Sequence, residues 1–137
     1  MDALIRRCAK HIRQAQALVI LSGAGMSVDS GLPDFSGDQG LIKRLEKVEG
    51  DYRNIISPKY FEEKPEKFWY IYGDRYNQYT KATPHKGYEL LLDICEKKKE
   101  YFIRTSNVDN MWARAGFDQE RIYEIHGSIY HLQCHSC

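Results

Sequence analysis

The chain has 137 residues, 42% hydrophobic and 28% charged, ordinary globular usage that excludes a disordered, collagen-like or membrane-resident protein. That length supplies one domain-sized core and not two. Twenty basic against nineteen acidic residues leave a formal net charge of +1, too little for a long-range field that gathers nucleic acid or an anionic membrane.

From Asp2 to about Gln16, Leu4, Ile5, Cys8, Ile12 and Ala15 recur at helical spacing with Asp2 as a cap, which predicts an amphipathic first helix. Ala17 to Leu21 reads as a strand buried on both faces of a parallel sheet, stopping at Ser22-Gly23. The same run is too short for the core of an export signal, and four cysteines are too sparse for a disulfide scaffold. The expected setting is reducing, hence cytoplasmic. After a loop rich in glycine and aspartate over 31–40 come short helical patches, then a helix from Pro65 to about Lys81. Its aromatic stripe, Phe68, Trp69, Tyr72, Tyr76 and Tyr79, reads as a core-facing or lid-facing surface rather than a ligand cage. Thr83-Pro84 reads as cap and first-turn proline of a helix with Tyr88, Leu91, Leu92 and Cys95 inward. That helix ends in Lys97 to Lys99, a solvated terminus without weight as a nucleic-acid patch. Tyr101 to Thr105 and Arg121 to Ile125 are further strands, and Ile129 to Gln133 a short fourth. The alternation predicts an α/β fold with a mainly parallel sheet.

Four stretches carry chemistry. Gly23-Ala24-Gly25-Met26-Ser27 follows the first strand, where small residues let backbone N–H groups approach a phosphate and a helix start adds its positive end. The ordinary dinucleotide fingerprint fails here: Val28 stands where its third glycine belongs, and the region around Glu46 reads as helix rather than the end of a second strand. The continuation Ser30-Gly31-Leu32-Pro33-Asp34-Phe35 is a rigid turn offering a carboxylate and a ring, although alone it reads as a plain loop. Thr105-Ser106-Asn107-Val108-Asp109 lies at the carboxyl end of a strand, where α/β sheets place ligand groups. Asn107 offers donor and acceptor and Asp109 an acceptor, suited to a carboxamide and ribose hydroxyls; the plainer reading is an Asx turn opening a helix.

Glu124-Ile125-His126-Gly127 leaves another strand toward the same edge, and this makes His126 a general-base candidate where a lone histidine is more often structural. His131-Leu132-Gln133-Cys134-His135-Ser136-Cys137 ends in a Cys-x-x-Cys, two of the four ligands of a structural zinc site. Cys8 and Cys95 occupy apolar helical positions and read as core thiols.

In their order and approximate spacing these stretches resemble the sirtuin family over Ala17 to Cys137, and Thr105 to Asp109 with His126 to Ile129 is similar to a bacterial branch. The resemblance implies a Rossmann-like NAD-binding domain over 1–130 and the start of an inserted zinc module over 131–137. It implies an NAD-dependent protein-lysine deacylase, a deacetylase that moves the acyl group of an acylated protein lysine to ADP-ribose with release of nicotinamide. Gly23, Ala24, Gly25 and Ser27 would lie at the cofactor, the pyrophosphate lined by Ala24 and Gly25. Asp34 and Phe35 would cover the nicotinamide ribose, while Ser106, Asn107 and Asp109 would hold ribose and carboxamide. His126 would be the base, with Asn107 beside it in the catalytic centre, and Cys134 and Cys137 half of a structural zinc site. No nucleic-acid or membrane partner is expected.

Two positions depart from the family pattern. Ser36 stands where the family has an arginine, and Ser106 where it has a glutamine. They motivate an alternative, ADP-ribosyl transfer or NAD hydrolysis by the same ribose chemistry. The family also continues with a second cysteine pair, further strands and a Gly-Thr-Ser turn, so an inactive, NAD-binding fragment is a third possibility.

Overall fold

The computed structural model describes residues 2–38 and 40–134. Helix α1 (Asp2–Gln14) leads into β1 (Ala17–Ser22) and a 3-10 turn, Ala24–Ser30. Helices α2 (Leu41–Glu49), α3 (Tyr52–Ile55), α4 (Pro58–Glu63), α5 (Pro65–Lys81) and α6 (Lys86–Cys95) carry the chain to β2 (Glu100–Thr105). Helix α7 (Met111–Arg114) and a second 3-10 turn, Gln119–Arg121, precede β3 (Ile122–Glu124). The strands form a parallel sheet in the order β1-β2-β3, with Ser22 opposite Thr105 and Thr105 opposite Glu124. All three therefore end at one edge, which sets the segments after Ser22, Thr105 and Glu124 side by side. The α/β alternation expected from the sequence is the one observed.

One face of the sheet carries the main core. Ile103 of β2 packs with Tyr88 and Cys95 of α6, Met111 and Trp112 of α7, and Phe117. Trp112 is its largest fully buried side chain, at 1% exposure, with ring centroids 4.8 Å from Tyr88 and 5.0 Å from Phe117. Its indole N–H donates to Ser22 Oγ at 2.9 Å, so the ring is buried without stranding a donor. A second cluster, Leu41, Leu45, Ile55, Tyr60 and Ile71, joins α2 through α5. The two shortest of these helices are started by side chains, Asp51 accepting from the Arg53 amide and Ser57 from the Tyr60 amide.

Several expectations are corrected. β1 is not buried on both faces: burial alternates, with Leu18 and Ile20 packed on the core and Val19 and Leu21 exposed beside Phe102 and Tyr123. α1 stops at Gln14 and its apolar stripe is open, with Leu4, Ile5 and Ile12 exposed and Cys8 exposed rather than a core thiol. Periodicity identifies an apolar face; it does not say what lies against it. Cys95, in contrast, is buried as expected, and burial pushes its thiol up.

α6 begins at Lys86 instead of after Thr83, because His85 takes the capping role: its Nδ1 accepts the Gly87 amide at 3.0 Å and its own amide donates to Ser30 Oγ. Residues 129–133 form no strand. Ile129 and Tyr130 pack onto the main core, and the Ile129 amide donates to the Val108 carbonyl. The aromatic stripe of α5 divides, with Tyr79 buried, Phe68 and Tyr72 half-buried and Trp69 and Tyr76 exposed. Among the described residues no helix is long and apolar enough to cross a membrane.

Candidate functional site

At the carboxyl edge of the sheet a cavity of about 150 Å³ is walled by Ala24, Ser27, Asp34, Phe35, Ser106, Asn107, Asp109 and His126. Leu32, Pro33, Leu41, Arg75, Tyr79 and Val108 complete the wall. The three strand ends thus bring together residues separated by more than a hundred positions. Gly23 and Gly25 stand outside this wall. The Gly23 carbonyl accepts from Asn107 Nδ2 at 3.0 Å, and a Cβ on Gly25 would meet open space.

The back wall is a hydrogen-bonded unit. Asn107 Nδ2 donates to the Gly23 carbonyl and to Ser27 Oγ (3.2 Å), and Ser27 Oγ donates to Asp109 Oδ2 (2.6 Å). Asp109, 4% exposed, also accepts the Met111 amide on Oδ1 at 3.1 Å, so the Asx turn opening α7 and the cavity wall are the same residue. Both amide hydrogens of Asn107 are committed. What Asn107 can offer a ligand is its Oδ1 acceptor, narrower than the donor-plus-acceptor reading of the sequence.

The Asp34 carboxylate turns toward its own loop. Oδ1 accepts the Gly37 amide at 3.0 Å, and a Cβ on Gly40 would come within 2.7 Å of Asp34 Oδ1 and of the Gly37 backbone nitrogen, so that close approach requires glycine. Phe35 is about half exposed and meets the Tyr52 ring edge-on at 5.9 Å. Ser106 reaches back to the Ser22 carbonyl through its amide at 3.1 Å.

His126 is exposed, and its Nδ1 lies 3.1 Å from the Ser106 carbonyl. A carbonyl only accepts, so Nδ1 carries the hydrogen and Nε2 keeps a free lone pair. Gly127, at φ 76°, takes the left-handed turn that directs the chain away after it. His126, Arg75 and Val108 also wall a neighbouring groove of about 660 Å³, with Phe68, Trp69, Tyr72, Tyr76, Ile129 and Tyr130 among its other walls. His126 therefore borders two spaces at once, one small and of mixed lining, one large and aromatic.

Arg75 and Tyr79 are site residues that sequence reasoning missed. The Arg75 guanidinium lies 5.1 Å over the Tyr72 ring and 5.6 Å over the Tyr79 ring, donates to the Tyr79 hydroxyl at 3.2 Å, and keeps its Nε buried without a partner among the described residues. The signal was present: a single cation three residues after Tyr72 and four before Tyr79 shares their helical face.

Beyond the cavity, Cys134 is exposed, and Cys137 lies outside the described residues. Among the described residues no group of three or more His, Cys, Asp or Glu side chains could hold a metal ion.

Residues 23–137 match the model of the Sir2 family. The chain belongs to the Sir2 family, the sirtuins. A deacylase of Candida albicans, named NAD-dependent, is 33% identical over 99% of this chain and 44% of its own length. An NAD-dependent protein deacetylase of Shouchella clausii is 36% identical over 92% of the chain and 50% of its own length. Among solved structures, a Sir2 homologue bound to ADP-ribose superposes with a TM-score of 0.84 at 30% identity, covering 96% of this chain and 50% of that one. A Sir2 homologue–NAD complex gives 0.78 at 31% identity over 96% and 49%. This sirtuin chain thus spans about half the length of the relatives it matches.

At the end of β3 stands a half-buried Glu124, whose Oε1 accepts the Asn110 amide at 3.2 Å. Burial pushes its carboxyl above the usual value of 4.5, the Asn110 amide opposes this, and Asp109 adds to it. A raised folded-state value means that the folded chain holds the proton more tightly. Stability is then lost as pH rises from about 4.5 through the raised value, and the cost is complete above it. Glu124→Gln keeps the acceptor and removes the charge. Thermal melts should show the variant more stable than wild type at pH 7 and equal to it below pH 4.5; a difference that grows toward low pH would contradict this.

Proposed function

We propose that the chain supplies the nicotinamide side of an NAD-dependent protein-lysine deacylase, transferring the acyl group of an acylated protein lysine to ADP-ribose. The observation that carries this reading is His126, fixed through Nδ1 to the Ser106 carbonyl and walling both the small cavity and the aromatic groove. A cavity of about 150 Å³ is small beside ordinary ligand sites and suits one end of a dinucleotide. Nicotinamide with its ribose edge fits that size, and the rest of NAD extends beyond these walls.

The donor set suits NAD. Asn107 Oδ1 accepts from the carboxamide or a ribose hydroxyl, and the amides of Ala24 and Gly25 start a 3-10 turn that leaves first-turn N–H groups for phosphate oxygens. NAD, when bound, provides the ribose carbon that exchanges nicotinamide for the acyl oxygen. Phe35, Leu32 and Val108 exclude water from that centre, and the aromatic groove takes the aliphatic stem of the acylated lysine. His126 Nε2 withdraws a proton from a ribose hydroxyl so that the ribose oxygen can take over the acyl group. The relatives' names favour a deacylase over ADP-ribosyl transfer or NAD hydrolysis.

Cys134 and Cys137 are proposed as two thiolate corners of a structural zinc site that opens a module at 131–137, after the NAD-binding domain of 1–130. Soft ligands with two residues between them fit zinc, and two further ligands must come from outside the described residues; zinc content by mass spectrometry, lost in Cys134→Ser, tests this. A reducing cytoplasm suits Cys8 and Cys95, both free thiols.

The function is tested by incubating the protein with NAD and an acetylated peptide. Nicotinamide release that depends on the peptide is expected. Release without peptide would instead favour ADP-ribosyl transfer or hydrolysis, and no release in either case would refute the reading.

A further inference from the structure

Tyr88 lies on α6, 61 residues from the glycine turn in sequence, yet its hydroxyl sits 3.1 Å from Ser27 Oγ. Its ring is fully buried, edge-on to His85 at 4.9 Å and to Trp112 at 4.8 Å. We propose that Tyr88 is a positioning residue of the site: its hydroxyl donates to Ser27 and so fixes the direction of the hydrogen bonds that hold Asn107 and Asp109 against the cavity.

The direction follows from counting hydrogens. A serine hydroxyl has one hydrogen and two acceptor lone pairs. The hydrogen of Ser27 goes to Asp109 Oδ2 at 2.6 Å. Asn107 Nδ2 can only donate, and at 3.2 Å it takes one lone pair. One lone pair remains for Tyr88, so the phenol is the donor and the order runs from Tyr88 to Ser27 to Asp109. Burial pushes the Tyr88 hydroxyl up to about 12, which keeps that donor protonated at neutral pH.

The first turn of α6 is bolted to the glycine turn by two more bonds. His85 Nε2 reaches the Met26 carbonyl at 2.8 Å, and the His85 amide donates to Ser30 Oγ at 3.0 Å. Since His85 Nδ1 accepts the Gly87 amide, Nε2 carries the hydrogen, and the ring's orientation is fixed as well. The ring of Tyr88 is thereby held independently of its hydroxyl. If the hydroxyl is removed, Ser27 can turn its hydrogen from Asp109 into other acceptors, and Asn107 loses its single orientation.

The link to the cofactor rests on the reading of the cavity as the nicotinamide site. Tyr88→Phe keeps the ring and removes one O–H. Two readouts are needed: the NAD dissociation constant by calorimetry, and the side-chain amide signals of Asn107 by ¹⁵N NMR in the ligand-free chain. Expected are a loss of NAD affinity of about tenfold, an ordinary size for coupling to a binding site, shifted, faster-exchanging Asn107 signals, and a melting temperature lowered by only a few degrees, the cost of one buried hydrogen bond. Tyr88→Leu, which also removes the ring, should lower the melting temperature far more. Unshifted Asn107 signals in Tyr88→Phe overturn the positioning role whether or not NAD binds. Shifted signals with unchanged NAD affinity overturn its link to the cofactor. Should wild type bind no NAD, the functional reading fails, and the Asn107 signals alone decide the role of Tyr88.

Discussion

Trp112→Ala is expected to lower the unfolding free energy by about 3–5 kcal/mol, the range for removing a fully buried aromatic side chain. Trp112 is in contact with Tyr88 and Phe117 and bridges through Ser22 Oγ to Thr105 Oγ1, so it couples α6, α7 and the ends of β1 and β2. Such a loss is a large share of the about 5–15 kcal/mol by which domains are ordinarily stable. Trp112→Phe, which keeps a ring and loses the indole donor, should fall between wild type and alanine. Urea unfolding followed by circular dichroism is the check, with Phe35→Ala as the contrast. Phe35 is half exposed and should change stability by less than about 1 kcal/mol.

The second large effect concerns His126. With Nδ1 held by the Ser106 carbonyl, Nε2 is the group that takes a proton, and general-base removal costs typically about 10²–10⁴ in rate. His126→Ala should therefore slow formation of deacylated peptide by that factor. NAD affinity should change little, because the side chain is exposed and touches the wall rather than filling it. Nicotinamide release should outlast product formation, since the base acts on a ribose hydroxyl after the ring has gone. Equal loss of both would place the histidine in the first step and contradict this assignment.

Much of the site was legible because each of its pieces is a short stretch that follows a strand terminus. Ser22, Thr105 and Glu124 are the last residues of three parallel strands, so any motif following them must meet at one edge. Helix α5 was legible to its boundaries, Pro65 supplying a first-turn residue that lacks the N–H the helix cannot use. What was not legible depends on contacts between distant residues. The His85 cap displaced the Thr83-Pro84 start because Ser30 and Met26 hold His85 from 55 and 59 residues away. Cys8 and Cys95 have the same kind of periodic neighbourhood, and only the packing distinguishes the exposed thiol from the buried one. Asp109 opens α7 as the Asx-turn reading expects, and its second oxygen accepts from Ser27 at the cavity wall, a contact 82 residues away that no local pattern signals. Arg75 was missed because a helix read as aromatic packing hid a cation within its stripe.

In the proposed reading NAD enters the cavity at the carboxyl edge of the sheet. Titration of NAD into the ¹⁵N-labelled protein tests it most directly, with each backbone amide reporting its own surroundings. Shift changes concentrated at Ala24, Asp34, Phe35, Ser106, Asn107 and His126 are predicted. Changes concentrated in the helical cluster of Leu45, Ile55 and Tyr60, or none at saturating NAD, would contradict it.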